Sequence, residues 1–308
     1  MKFVVAGAGG VGGYIGVRLA EAGHAVAWLV RGASLAALRG TGIVLKAPQG
    51  EVRLGPQRAS DDAAALGPAD AVIVTVQLYD LEALAPRLAP LAAADTAILP
   101  LQNGVEAQAM LAKALPGARP LQGTVSIKAS LAAPGLVEAK SDFCRLRFGE
   151  ADGRASARTE RLAETMSAAV GVSAAATPEI ELDLWKKFVM LASFSATACL
   201  ARAPIGRVLD DPGAHAFALE AAEEAAAVGR ARGVKLPADI VEATMRQVVG
   251  MPRDGKPSML EDLEAGRRLE LPWLSGAVVR LGKEAGVPTP IHAMICRVLG
   301  MHANGKAV

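Results

Sequence analysis

The sequence predicts an α/β fold: a doubly wound parallel sheet at the N-terminal side, followed by an all-α domain, with the division at residues 175/176. Three observations carry this prediction. The first half alternates short Val- and Ile-rich runs with helical stretches. A glycine-rich turn follows the first of those runs. Past residue 175 helix starts recur and strand signals stop. A length of 308 residues fits two domains at the usual ~100–200 residues each.

In chain order, residues 3–6 form an apolar run that ends in glycines, and 11–22 a helical stretch that Gly23 closes as a C′ residue. Further runs follow at 24–30, 71–76 and 96–101, with helical material over 81–91. Runs of this kind without strict alternation suit strands buried on both faces of a parallel sheet. The mixed segment 136–148 predicts added strands at a sheet edge. Beyond it, Thr177-Pro178-Glu179 reads as N-cap, N1 proline and acidic first turn of a helix running to 202. Asp211-Pro212 repeats the signal for a helix ending near Gly233. Further helices are predicted over 237–249, 259–266, 271–285 and 290–299.

Charge and composition exclude several classes. Lys and Arg total 33 against 31 Asp and Glu, a net charge of +2, and aromatics make up 4%, so neither a nucleic-acid groove nor a polybasic membrane surface is indicated. Hydrophobic residues at 52% and charged residues at 21% are globular values. The charge-free stretch 188–201 falls short of the ~20 residues that span a bilayer. A soluble protein with no membrane partner is predicted. Cys144, Cys199 and Cys296 lack metal or disulfide spacing and read as ordinary thiols. The first residues read as a strand rather than a signal peptide, with the cytoplasm as default location.

Gly7-Ala8-Gly9-Gly10-Val11-Gly12 has the form G-x-G-x-x-G between a strand and a helix, the context of a Rossmann-type dinucleotide site. The first glycine permits the tight turn, the second lets backbone approach a pyrophosphate, and the third lets helix and strand pack closely. An NAD site would carry Asp or Glu at the end of the second strand. Here Arg31 stands 24 residues after Gly7, and its guanidinium suits a ribose 2′-phosphate. NADP(H) is therefore the predicted cofactor.

Reduction of a carbonyl needs a proton donor or cation where negative charge develops. Leu184, Lys187, Leu191 and Phe194 follow one another at helical i+3 and i+4 spacing, so Lys187 sits on an apolar stripe where desolvation would lower its pKa. Ser258 and Glu270 add a hydroxyl and a carboxylate further on, though spacing alone does not bring either to Lys187.

The glycine loop, Arg31, Gln102-Asn103-Gly104, Trp185-Lys186-Lys187, Ser258-Met259 and Glu270 occur in the same order as in the ketopantoate reductases. These are the 2-dehydropantoate 2-reductases of coenzyme A biosynthesis, and the chain resembles them over nearly its whole length. The resemblance implies an NADPH-dependent reduction of a 2-keto acid, 2-dehydropantoate to pantoate first among them, with the active site between the two domains. It implies Lys187 as general acid and Glu270 as its partner, also near the nicotinamide ribose. Asn103 is implied near the nicotinamide and substrate, backbone at Ala129 near the cofactor, and Ser258 near the substrate carboxylate.

Departures from the family pattern fall on the substrate side. Leu191 and Ser195 stand where the family has asparagines one and two turns beyond the lysine, Ile205 where it has another, and Ser275 where one follows the glutamate. Gln77 replaces a family lysine at the cofactor. Leu191 and Ile205 would leave a substrate hydroxyl unpaired, which favours a paralogue acting on a more apolar 2-keto acid as the rival to 2-dehydropantoate reduction. A β-hydroxyacid dehydrogenase is a second rival, and an NADP(H)-sensing protein without turnover a third. Residues 251–257 predict a loop whose Arg253 and Lys256 are candidates for attracting anions. The apolar helical domain, with Trp273, is compatible with a homodimer.

Overall fold

The computed structural model describes residues 1–306. The chain divides into two compact units, one of residues 1–102 and 106–181, the other of Asn103–Val105 and the chain from Leu182 onward. In order, the first unit contains β1 (Lys2–Ala6), α1 (Gly10–Glu21), β2 (Ala25–Leu29), α2 (Gly32–Gly40), β3 (Ile43–Ala47), β4 (Gly50–Leu54), β5 (Ala59–Ser60), β6 (Ala71–Val74), α3 (Leu78–Leu84), β7 (Ala97–Pro100) and α4 (Ala107–Ala114). It continues with β8 (Gln122–Ser126), β9 (Ala129–Ala133), β10 (Leu136–Ala139), β11 (Cys144–Gly149), α5 (Ala157–Ser167) and β12 (Val172–Ala176).

Its main sheet is parallel, in the order β5-β2-β1-β6-β7. Residues 71–74 and 97–100 are buried throughout, as are 3–6, so near-continuous apolar runs replace alternation. β1 pairs with β2 on one side and β6 on the other, so the chain reverses direction of winding at β1. That reversal opens a crevice at the carboxyl ends of the strands. The fold class is the one predicted, a Rossmann-type doubly wound sheet with an all-helical second part.

Two smaller sheets, β4-β3-β10-β9 and β12-β11-β8, complete this unit. The segment 136–148 therefore differs from its prediction: β10 and β11 are each flanked on both sides, in separate sheets, rather than added to an edge. The predicted helix over 81–91 is α helix only to Leu84 and 3₁₀ over Ala85–Leu91. Pro86 and Pro90 have no N–H to donate, which weakens an i to i−4 ladder there.

The second unit is built on α6 (Ile180–Met190), which continues through a π turn (Leu191–Ser195) into α7 (Ala196–Ala201). Then come α8 (Ile205–Asp210), α9 (Pro212–Ala231), α10 (Ile240–Val249), α11 (Ser258–Glu264), α12 (Ser275–Ala285) and α13 (Pro290–Leu299). Asp211 caps α9 by accepting from the Ala214 N–H, as the Asp-Pro signal implied. Thr177 instead forms a local turn, accepting from the Glu179 N–H, and α6 begins at Ile180. Arg202 ends α7 in the left-handed region, at φ 47°. By length and composition Ile180–Ala201 is apolar enough to cross a membrane, yet 67% of that window is buried inside the protein. Its Trp185, Phe188, Val189 and Phe194 pack into the second core, against alanines 218, 221, 222, 225 and 226 of α9. Small side chains on α9 let its neighbours approach closely.

Candidate active site

In the first unit the glycine loop closes β1 and opens α1, and each glycine has a separate cause. Gly7 lies at φ +105°, a region that disfavours any Cβ. A Cβ on Gly12 would sit 2.1 Å from the Gly7 carbonyl oxygen and 2.2 Å from Thr75 Oγ1, so helix and strands could not pack as they do. A Cβ on Gly10 would meet the Ala129 carbonyl at 2.3 Å, which places the β9 backbone directly over the start of α1. Gly9, the N-cap of α1, faces open space. There the unpaired N–H groups of the first helical turn, with no acidic residue among them, suit an anionic pyrophosphate. The residues present fit a dinucleotide.

A cleft of about 310 Å³ runs from Gly7, Ala8 and Gly9 along the end of β2 to Arg31. Gly10, Val11 and Gly12 belong to the helix behind it, and Ala129 stands beside Gly10. Gln77 is exposed at the N-cap of α3 and does not line the cleft. Sequence reasoning missed Ser34, Asp61 and Asp80, which do line it. Arg31 is 76% exposed and pairs with Asp80 at 3.2 Å. Also unforeseen was Thr75, whose hydroxyl donates toward the Gly7 carbonyl at 2.9 Å and pins the turn to the end of β6.

In the second unit Asn103, Lys187 and Glu270 come together. Asn103 Nδ2 donates to Glu270 Oε2 at 2.9 Å, a contact between residues 167 apart in sequence. Glu270 is 5% exposed, and burial raises its carboxyl pKa, while the Asn103 hydrogen bond and the nearby Lys187 charge pull it back down. Burial likewise lowers Lys187, to about 8, with the Glu270 charge opposing the shift. An ammonium with that pKa is charged at neutral pH and gives up its proton far more readily than an ordinary lysine.

Leu191 begins the π turn and is half-buried against the second core, whereas Ser195, at its end, is 3% exposed. Eight residues of ideal α helix rotate a side chain about 80° away from its starting line. The wider π turn takes up part of that drift between Lys187 and Ser195. Ser193 supports the bulge by donating to the carbonyl of Val189 at 2.7 Å. Ile205 is a core residue at 7% exposure, and the Ser275 hydroxyl is fully buried with no hydrogen-bond partner among the described residues. Ser258 is exposed at the first turn of α11. The 251–257 segment is a loop, but its cations are already matched: Arg253 pairs with Asp210, and Lys256 with Glu264 at 2.8 Å. Cys144 and Cys199 are buried thiols, each pushed up to about 12 by desolvation.

Comparison with known proteins places this geometry. Family models described as ketopantoate reductase PanE/ApbA and its C-terminal part match residues 3–153 and 179–303. An uncharacterized oxidoreductase of Bacillus subtilis, YkpB, is 32% identical, covering 99% of this chain and 100% of the relative. A 2-dehydropantoate 2-reductase of Mesorhizobium japonicum is also 32% identical, covering 94% of each chain. The crystal structure of a PanE/ApbA family ketopantoate reductase from Ralstonia eutropha superposes with a TM-score of 0.89 at 31% identity, over 98% of both chains. D-mandelate dehydrogenase, solved with NADH and anilino(oxo)acetate, shares the fold at 21% identity and a TM-score of 0.88. With its glycine loop, its half-buried lysine beside a buried glutamate and this whole-length similarity, the chain belongs to the ketopantoate reductase family and is an oxidoreductase acting on CH–OH groups.

Proposed function

We propose that the chain reduces a 2-keto acid to the 2-hydroxy acid with NADPH, 2-dehydropantoate to pantoate first among substrates, in the cytoplasm. The observation that carries the reading is Lys187, brought to about 8 by burial beside a glutamate that Asn103 holds by a 2.9 Å hydrogen bond. When bound, the reduced dinucleotide supplies the hydride that adds to C2 of the keto acid. The first unit would do the holding: N–H groups of the turn at Gly9 and Gly10 would hold the pyrophosphate, and Arg31 a ribose 2′-phosphate. The Ala129 backbone borders the same turn.

In the second unit, the Lys187 ammonium donates its proton to the carbonyl oxygen as negative charge develops there. Glu270 keeps the lysine charged in a desolvated setting, and Asn103 fixes Glu270. Ser258 is assigned to the substrate carboxylate side. An NADPH-oxidation screen over 2-keto acids tests the function, with 2-dehydropantoate beside analogues lacking its hydroxyl. Turnover of 2-dehydropantoate above the analogues supports the reading. Tight NADPH binding with no turnover of any keto acid would replace it with a sensing role.

A second reading has its own support. Leu191, one turn beyond Lys187, and the core-buried Ile205 offer no hydrogen bond to a substrate hydroxyl. A keto acid with an apolar side chain avoids the cost of leaving such a hydroxyl unpaired. In the same screen, this reading expects the unhydroxylated analogues to lead.

A further inference from the structure

Arg31 already has a partner, at the place where the cofactor reading needs it for a phosphate. Arg31, Ser34, Asp61, Asp80 and Arg87 all line the cleft. Asp80 sits in the first turn of α3 and reaches Arg31 Nη2 at 3.2 Å. Arg87 is committed elsewhere, donating to the Asp61 backbone carbonyl. Two carboxylates thus line the cleft beside Arg31, and one of them holds its guanidinium.

Resting on the dinucleotide reading, we infer that Asp80 is a cofactor-specificity residue: it competes with a ribose 2′-phosphate for Arg31 and accepts a hydrogen bond from a ribose 2′-hydroxyl, so that the chain takes NADH as well as NADPH. A 2′-phosphate must displace the Asp80 carboxylate from Arg31 and then lies beside that displaced negative charge. A 2′-hydroxyl meets the opposite situation: NAD sites offer it a carboxylate at the end of the second strand, and here Asp80, from α3, brings one to that place by its contact with Arg31. The Arg31–Asp80 pair is open to solvent, at 76% and 38% exposure, so it is weak enough for a phosphate to break. Asp80 therefore sets a ratio between two cofactors rather than closing the site to one.

The test measures dissociation constants of NADPH and NADH by titration calorimetry, without turnover, for the wild-type chain, Asp80→Asn and Glu82→Gln. Glu82 lies on the same helix but does not line the cleft, so it reports the effect of a distant charge change. Asp80→Asn is expected to tighten NADPH roughly three- to ten-fold and to weaken NADH, with Glu82→Gln moving both by less than about two-fold. Equal changes for both cofactors, or an effect matched by Glu82→Gln, would overturn the role of Asp80 while leaving the dinucleotide site standing. Failure of all three proteins to bind either cofactor would overturn the dinucleotide reading and this inference with it.

Discussion

The two units carry function in different ways. In the first, the candidate site is backbone: a turn, a helix start and the absence of four Cβ atoms, with Thr75 pinning the turn. In the second it is side chain, three polar residues in an apolar helical setting whose properties come from burial. A backbone site must be contiguous in sequence, whereas a side-chain site can be assembled from anywhere. The difference predicts how each unit responds to substitution.

The largest effect belongs to the second unit. Lys187→Ala removes the proton donor and is expected to lower kcat by roughly 10²- to 10⁴-fold. The NADPH dissociation constant, on the proposed reading set chiefly by the first unit, should change by no more than about two-fold. Steady-state kinetics beside equilibrium titration check this; parallel losses in both quantities would dissolve the division of labour.

Within the first unit, two glycines separate fold from ligand. Gly12→Ala drives a methyl into the Gly7 carbonyl and Thr75, so an overpacking cost of about 1–3 kcal/mol is expected in thermal or denaturant unfolding. Gly9→Ala meets nothing and should cost less than about 1 kcal/mol, yet it fills the space a pyrophosphate needs. Its NADPH affinity should fall by at least about ten-fold. If Gly9→Ala binds NADPH normally, the open face of the turn is not the phosphate cradle.

The same contrast explains what could be read in the sequence. The glycine loop and Arg31 were legible because neighbours in sequence form one turn and one strand end. Lys187 was visible as a polar residue on an apolar stripe, but its meeting with Glu270 came only from the family resemblance and the Asn103–Glu270 bond from neither, since tertiary packing alone brings residues 167 apart together. Asp80 was unreadable for a similar reason: α3 and the end of β2 converge only once the sheet forms. The small sheets escaped because their short strands pair with distant segments, β10 with β3 for example, so no local pattern marks their order. The π turn was equally hidden, because Leu191–Ser195 keeps helical composition while changing helical pitch.

A smaller effect concerns pH and the second unit's acid group. As the proposed acid, Lys187 must be protonated, so reduction should proceed below about pH 8 and decline as pH rises through that value. The Glu270 charge raises the lysine pKa, so Glu270→Gln should move the alkaline limb of kcat to lower pH. A pH–rate profile checks both the limb and its direction. An unchanged limb in Glu270→Gln would mean that the pair is not electrostatically coupled during turnover.

The last difference is in acid stability. In the second unit His292 is fully buried, its Nε2 2.9 Å from the Ala221 carbonyl, and burial lowers its pKa to about 4. A depressed pKa gives stability that is present above the unfolded value of 6.5 and is lost as pH falls toward 4. The full loss amounts to about 3 kcal/mol, reduced by Glu224, whose raised pKa acts in the opposite sense as it takes up a proton. In the first unit, Glu150 accepts two hydrogen bonds from Arg158, which hold its pKa below the ordinary 4.5. Its stabilisation persists to lower pH and is lost only as pH falls from 4.5 through that lowered value. Between pH 6.5 and 4.5 the second unit should therefore loosen more than the first, where half-exposed His24, also lowered by burial, acts in the same sense but more weakly. Hydrogen exchange followed by mass spectrometry resolves the two, with α9 and α13 peptides expected to lose protection before β11 and α5. His292→Gln, which can still donate to the Ala221 carbonyl, should flatten the difference; loosening that survives this substitution would assign the acid sensitivity to another group.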